Sequence, residues 1–148
     1  AFNYCTALSS IVIPDSVTEI EEGAFSECRA LTTVVLPNSL TEISDYLFSD
    51  CTSLSDILIP ASVTEIETGA FQRCTSLVSI VIPDSVTEIE DIAFSQCSAL
   101  RSVLLPASVT EIGVGAFDKC PNLTLTVFRN SYAERYAQRN HIPYTYAD

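Results

Sequence analysis

The sequence predicts an α/β repeat solenoid: a right-handed coil with a short-stranded parallel sheet on one side and a C-terminal helix–strand cap. Three observations lead there. The phrase "IVIPDSVTEI" occurs unchanged at Ile11–Ile20 and Ile80–Ile89, an offset of 69 residues, or three periods of 23. At that period the intervening chain falls into register without an insertion or deletion, in units beginning at Ile11, Val34, Ile57, Ile80 and Val103. After Cys120 the period stops and the composition changes. A fixed period of this length marks units too small to fold alone, which bury their apolar faces by stacking on one another.

The opening "AFNYCTALSS" is the back half of a unit, in register with "AFSECRALTT" at 24–33. The chain thus starts inside a unit, and further repeats are expected upstream. Within each unit the first element is a strand. "LSSIVIP" alternates around Leu8, Ile11 and Ile13, placing those three side chains inward and the intervening ones outward. Pro14, Pro37, Pro60, Pro83 and Pro106 follow at the same level of every unit. A proline has no N–H to give to a ladder, so each ends strand pairing there. The segment "SVTEI" then offers Val17 and Ile20 to the interior, and "GAFSEC" carries Ala24, Phe25 and Cys28 at the spacing of a helical or 3₁₀ turn. Down the stack these positions become ladders of Ile, Val, Phe and Cys.

The tail "LTLTVFRNSYAERYAQRNHIPYTYAD" reads differently. Leu123, Leu125 and Val127 alternate as a last strand. Ser131 is a helix N-cap candidate, with Tyr132 and Tyr136 four apart on one face, and "IPYTY" is a final extended piece. Residues 1–120 are therefore expected to form the solenoid, a half unit plus five full ones, and residues 121–148 a cap over its last turn.

The pattern Leu8, Ile11, Ile13, Pro14, Ser16, Val17, Ile20, Ala24, Phe25 and Cys28, repeated every 23 residues, resembles the BspA-type leucine-rich repeats. Leucine-rich repeats ordinarily carry a buried Asn after the strand; here Ser16, Ser39, Ser62, Ser85 and Ser108 hold the comparable place. A hydroxyl can satisfy backbone groups at the turn, with fewer hydrogen bonds than an amide. The resemblance implies a secreted or surface-anchored bacterial protein that binds other proteins through the outward face of its strands.

Composition narrows the chemistry. Residues 1–120 hold 17 acidic and 4 basic side chains, a net −13, whereas residues 121–148 carry +1. So acidic a body repels phosphate backbones, which argues against nucleic acid as a partner. No apolar run approaches the roughly 20 residues of a membrane span. Cys5, Cys28, Cys51, Cys74, Cys97 and Cys120 recur once per unit. Stacked turns lie about 5 Å apart with parallel Cα–Cβ bonds, whereas a disulfide brings Cβ atoms to about 3.8 Å and tilts them together. Without CxxC or histidine clustering, zinc is not indicated either. The column is expected to be six free, buried thiols.

Glu19, Glu42, Glu65, Glu88 and Glu111 form a second column, flanked by Glu21, Glu67 and Glu90. It reads as a solvated face; weak sharing of a hard divalent cation between turns is the alternative, unsupported by any calcium-loop pattern. His141 is the only histidine and falls in the cap, and no nucleophile elbow, phosphate loop or dinucleotide motif occurs. No catalytic residue, metal or cofactor is therefore expected.

What remains is the outward strand face. Its two rows are Ser10, Thr33, Asp56, Ser79 and Ser102, and Val12, Val35, Leu58, Val81 and Leu104, with Arg101 alongside. An aliphatic stripe of five residues on a sheet approaches the size at which exposed patches mark binding sites. The expected function is non-covalent binding of a protein ligand by a monomer or a weakly self-associating chain, and the resemblance implies that such binding serves adhesion to host or neighbouring cells. The alternative is a structural spacer that presents another domain.

Overall fold

The computed structural model describes all 148 residues. The chain coils through about six turns, and two sets of very short parallel strands alternate along it. One set comprises β1 (Ser10–Val12), β2 (Thr33–Val35), β5 (Ser79–Val81), β7 (Ser102–Leu104) and β9 (Thr124–Val127). The other comprises β3 (Glu42–Ile43), β4 (Glu65–Ile66), β6 (Glu88–Ile89) and β8 (Glu111–Ile112). Helix α1 (Tyr132–Arg139) and β10 (Tyr144–Tyr146) complete the chain.

The first set lies where the alternation of Leu8, Ile11 and Ile13 predicts it. Registers are offset by 23 residues, with Ile11 opposite Val34 and Ile80 opposite Val103. Val34, Ile80, Val103 and Leu125 are buried while Val12, Val35 and Val81 point to solvent. The second set is an addition to the expected one-sided sheet. From the second turn on, the Glu–Ile pair of each turn bonds to the same pair of the next, Glu42 to Glu65 to Glu88 to Glu111, whereas Glu19 and Ile20 of the first turn form no strand. Ile43, Ile66 and Ile89 face wholly inward, so the Glu side chains are forced outward in one file.

The third wall is neither strand nor helix. Where "GAFSEC" suggests a helical turn, backbone N–H groups alternate between two partners. Ala24, Ser26 and Cys28 donate back three residues within their own turn, to Glu21, Gly23 and Phe25 carbonyls at 2.9–3.2 Å. Gly23, Phe25 and Glu27 donate instead to the next turn, to Asp45, Leu47 and Ser49 carbonyls at 2.7–3.1 Å. A positive φ twice per turn, as at Gly23 and Glu27 or Gly69 and Arg73, stops the helix from propagating and aims every second N–H along the stack.

Inside, the rows predicted from sequence become stacked columns. The Phe rings from Phe2 to Phe117 lie face to face at 5.2–5.8 Å between centroids, and Tyr136 of α1 closes the column edge-on at 6.2 Å. From Cys28 to Cys120 each Cys Sγ–H donates to the carbonyl of the Phe one turn below, as in Cys74 to Phe48 at 3.1 Å. The turn serines behave as expected at three places: the hydroxyls of Ser39, Ser62 and Ser108 donate to the Val17, Leu40 and Val86 carbonyls of the preceding turn. Ser85 is the exception, its buried hydroxyl oxygen lacking a partner.

At the C-terminal end β9 extends the ladder from β7, and α1 then carries the chain across the last turn so that β10 pairs in parallel with β9. Ser131 caps the helix by accepting the Glu134 N–H at 3.1 Å, and Glu134 returns a carboxylate oxygen to the Asn130 N–H. The first bond satisfies an amide that the first helical turn leaves free, and the second ties the residue before the cap to that turn. Tyr136 and Ala133 are buried against the last turn, while Tyr132 is half-buried and its hydroxyl accepts the Ile112 N–H.

Candidate functional site: the strand face

Strands β1, β2, β5 and β7, and the equivalent residues 56–58 of the third turn, which form no strand, each turn two side chains outward. Ser10, Thr33, Asp56, Ser79 and Ser102 are all exposed, as are Val12, Val35, Leu58 and Val81; Leu104 is half-covered. The structure thus brings the two predicted rows together on one surface. Exposure along the aliphatic row is high for such side chains, 70% at Val12, 83% at Leu58 and 63% at Val81. Core packing therefore does not account for these residues. The row ends at Leu104, because its next partner in register is Thr126.

Polar groups frame this stripe. On the strand-entry side Thr32 Oγ1 donates to the Ser9 carbonyl at 3.0 Å, and Val78 and Arg101 stand exposed. On the exit side the Asp15 carboxylate accepts the Asn38 N–H at 2.9 Å, with Asp84 exposed three turns beyond Asp15. The ion pairs of the chain lie elsewhere: Arg29 with Glu27, Arg73 with Asp50, and Arg129 with Asp148. Asp15, Asp56, Asp84 and Arg101 on the strand face are consequently uncompensated. A shallow cleft of about 340 Å³ opens on the exit side, its walls including Val12, Val35, Leu36, Leu58 and Pro60.

The second sheet presents a different surface. Glu42, Glu65 and Glu67 bring carboxylate oxygens within 4.8 Å of one another. Burial pushes the Glu67 carboxyl up to about 7, and the charges of Glu42, Asp45 and Glu90 push the same way. Glu88 is raised by partial burial and then by Glu111, Glu90 and Glu65. Several of these acids bond backbone across turns. Glu67 accepts the Asp45 N–H at 3.2 Å, Glu90 accepts the Thr68 N–H and hydroxyl, and Asp91 accepts the Val114 N–H at 2.7 Å. Their oxygens therefore staple neighbouring turns.

The cysteine column is chemically quiet. Burial raises the Cys51 thiol to about 12 and the Cys120 thiol to about 11, and lifts Cys74 and Cys97 further. All six cysteines are unpaired thiols, four of them buried. A buried thiol held protonated is a poor nucleophile at neutral pH. His141 is exposed in the cap.

Reading the sequence row by row located the stripe but gave its five residues equal standing. The structure separates them: Leu58 is the most exposed, and residues 56–58 that include it form no strand, where the sequence pattern predicts one. The available signal was Asp56, the only acid in a row otherwise made of Ser and Thr.

Comparison with known proteins agrees with the geometry. A leucine-rich repeat protein of T. pallidum is 38% identical and superposes with a TM-score of 0.76 over 79% of this chain and 57% of that one. A leucine-rich cell surface protein of Faecalibacterium prausnitzii is 36% identical, with a TM-score of 0.79, over 86% of this chain and 34% of that one. The pneumococcal vaccine antigen PcpA is 29% identical, with a TM-score of 0.74, over 82% and 31%. The chain thus spans between about a third and somewhat over half of these proteins. No curated protein matches it. No helix is long and apolar enough to cross a membrane. The model of the BspA type leucine-rich repeat region matches six copies over residues 1–124, and the chain belongs to that family.

Proposed function

We propose that this chain is a non-enzymatic protein-binding module of a secreted or cell-surface protein, which meets its partner through the strand face and serves adhesion to host or neighbouring cells. The observation that carries the reading is the exposed stripe from Val12 through Val35, Leu58 and Val81 to Leu104. Leaving such side chains in water forfeits roughly 1.5–3 kcal/mol each relative to burial. Covering them releases that free energy without disturbing the core. The polar rows on either side supply hydrogen-bonding groups at the rim, the division of apolar centre and polar edge found in protein interfaces. Family membership supports an interaction module, and the neighbours described as a cell surface protein and a vaccine antigen support an extracellular setting.

The test replaces Val35, Leu58 and Val81 together by Lys in the chain displayed on an otherwise non-adherent bacterium, with adherence to cultured epithelial cells as the readout. All three positions are exposed, so the melting temperature should hold. Loss of adherence with an unchanged melting temperature is the expected result. Intact adherence would overturn the strand-face reading and favour a spacer role.

A further inference from the structure

We propose that the third turn of the strand face is its recognition centre and takes an extended, cationic segment of a partner protein. In this arrangement apolar side chains of the segment seat on Leu58 between Val35 and Val81, and its ammonium or guanidinium groups meet Asp56, Asp15 and Asp84. The inference rests on the strand-face reading above and names the class of partner. Three independent observations converge on this turn.

The first is an interruption of the sheet. β1 pairs with β2, and β5 pairs with β7, yet residues 56–58 between them join neither strand. The N–H groups of Ile13, Ile82 and Leu105 each reach the next turn at 2.9–3.2 Å, and the equivalent N–H groups of Leu36 and Ile59 do not. From Ser55 to Ile59 no backbone N–H donates to another backbone group, and of the carbonyls only that of Ser55 accepts, from Val78 at 3.2 Å. Asp is depleted from strands, and Asp56 stands where the neighbouring turns have Ser or Thr. The Glu ladder and the turn wall run past this level uninterrupted, through Glu42–Glu65 and through Phe48 N–H to the Ala70 carbonyl at 2.8 Å. The opening is therefore confined to the exposed wall. Segments held by few backbone bonds adjust at least cost, and binding elements are drawn from them.

The second observation is exposure. Leu58 is the most exposed large apolar residue of the chain at 83%, and the adjoining cleft runs from it toward Val12. The third is charge. Asp56 is exposed and forms neither an ion pair nor a side-chain hydrogen bond, and Asp15 and Asp84 flank the same stripe without a cation nearby. Turns rise about 4.8 Å each, so Asp15 and Asp84 stand about 14 Å apart along the stack on either side of Leu58. An extended segment covers that span with about four residues. The net charge of −12 adds long-range attraction for a cationic partner and repels an anionic one. Arg101, beyond the acids, marks the end of the stripe where the segment's cationic character should stop.

The probes are three blocked synthetic octapeptides, alternating Lys–Val, alternating Glu–Val, and octalysine, titrated into the 15N-labelled 148-residue chain at low salt. The Lys–Val peptide should shift the amides of Ser55–Ile59, Val35 and Val81 and slow hydrogen exchange at Ser55–Ile59. Those five amides should exchange fastest among strand-face positions in the free protein. Asp56→Asn should weaken binding about threefold, and Leu58→Ser about fivefold or more, with unchanged melting temperatures. Octalysine should bind more weakly at this turn, lacking apolar side chains. Equal binding of the Glu–Val peptide at the same amides would overturn the cationic class while leaving the strand face as the binding surface. Shifts confined to Glu65 and Glu88, or no shifts with any peptide, would overturn the inference. Adherence retained by the triple Lys variant would instead remove the strand-face reading on which it stands.

Discussion

Replacing Gly69 by Ala tests how neighbouring turns accommodate one another. Gly69 has φ of +62°, and a Cβ built on it would lie 2.4 Å from Cε1 and 2.5 Å from Cδ1 of the Tyr46 ring. Down the stack this position reads Gly23, Tyr46, Gly69, Ile92 and Gly115, all at positive φ. The alternation has a steric cause: the ring of Tyr46 lies over Gly69, and Ile92 leans toward Gly115. Two costs follow for Gly69→Ala. Holding Ala in a left-handed conformation costs about 1–2 kcal/mol. Displacing the half-buried Tyr46 ring is an overpacking cost of about 1–2 kcal/mol. The sum is about 2–4 kcal/mol in urea denaturation followed by far-UV circular dichroism, read from the midpoint at constant slope. In a Tyr46→Ala background only the backbone cost remains, so the double-mutant cycle should return a coupling of about 1–2 kcal/mol. Equal losses in both backgrounds would refute the ring-over-glycine argument. No loss in either would refute the left-handed backbone as well.

Two further predictions concern the acidic and thiol columns. Glu67 is pushed up to about 7 from an ordinary value of 4.5, so the folded protein binds a proton that the unfolded chain releases. The cost of charging Glu67 is then fully present above pH 7 and is relieved as pH falls from 7 toward 4.5, where stability rises. Discounted for the solvent around this half-buried side chain, the gain is about 1 kcal/mol, seen as a rise in melting temperature of a few degrees. Glu67→Gln should raise stability at neutral pH and flatten this profile; an unchanged slope in the variant would contradict the assignment. For the thiols, a chromogenic disulfide reagent should react first with half-buried Cys5 and Cys120 and slowly with the other four. Denaturation without reductant should release all six, and fewer than six would show that some pair covalently.

Much of this architecture is legible in the sequence because every turn repeats the same physical problem. Leu8, Ile11 and Ile13 alternate, Pro14 ends the strand, and no unit is lengthened, so registers could be counted before being seen. The second sheet was not legible. Its strands are two residues long, and Val17 and Ile20 in "SVTEI" do not alternate over a length that distinguishes a strand. Nor was the turn wall, because its left-handed residues include Glu27, Asp50, Arg73, Gln96 and Lys119, none of which advertises positive φ as glycine does. The serine row shows the limit of reading by column: Ser39, Ser62 and Ser108 share a bond that Ser85 does not make. At the strand face, residue-by-residue reading found the stripe. The break at residues 56–58 depends on hydrogen bonds to two neighbouring turns, which no single unit encodes.

The three walls of the coil divide the labour unequally, and this bears on where function can reside. The turn wall carries the Phe column and an inter-turn bond at every second residue, so a change there disturbs the centre of the core. The Glu ladder is bonded without interruption from Glu42 to Glu111 and is stapled further by Glu67, Glu90 and Asp91. At the third turn only the strand wall carries a gap, because the other two hold adjacent turns in register past it. A surface freed from maintaining the stack can vary its outward residues and even its backbone pairing at modest cost. In a repeat whose other positions are fixed by contact with the turns above and below, that freedom is what allows one turn to become unlike the rest and so to be recognised.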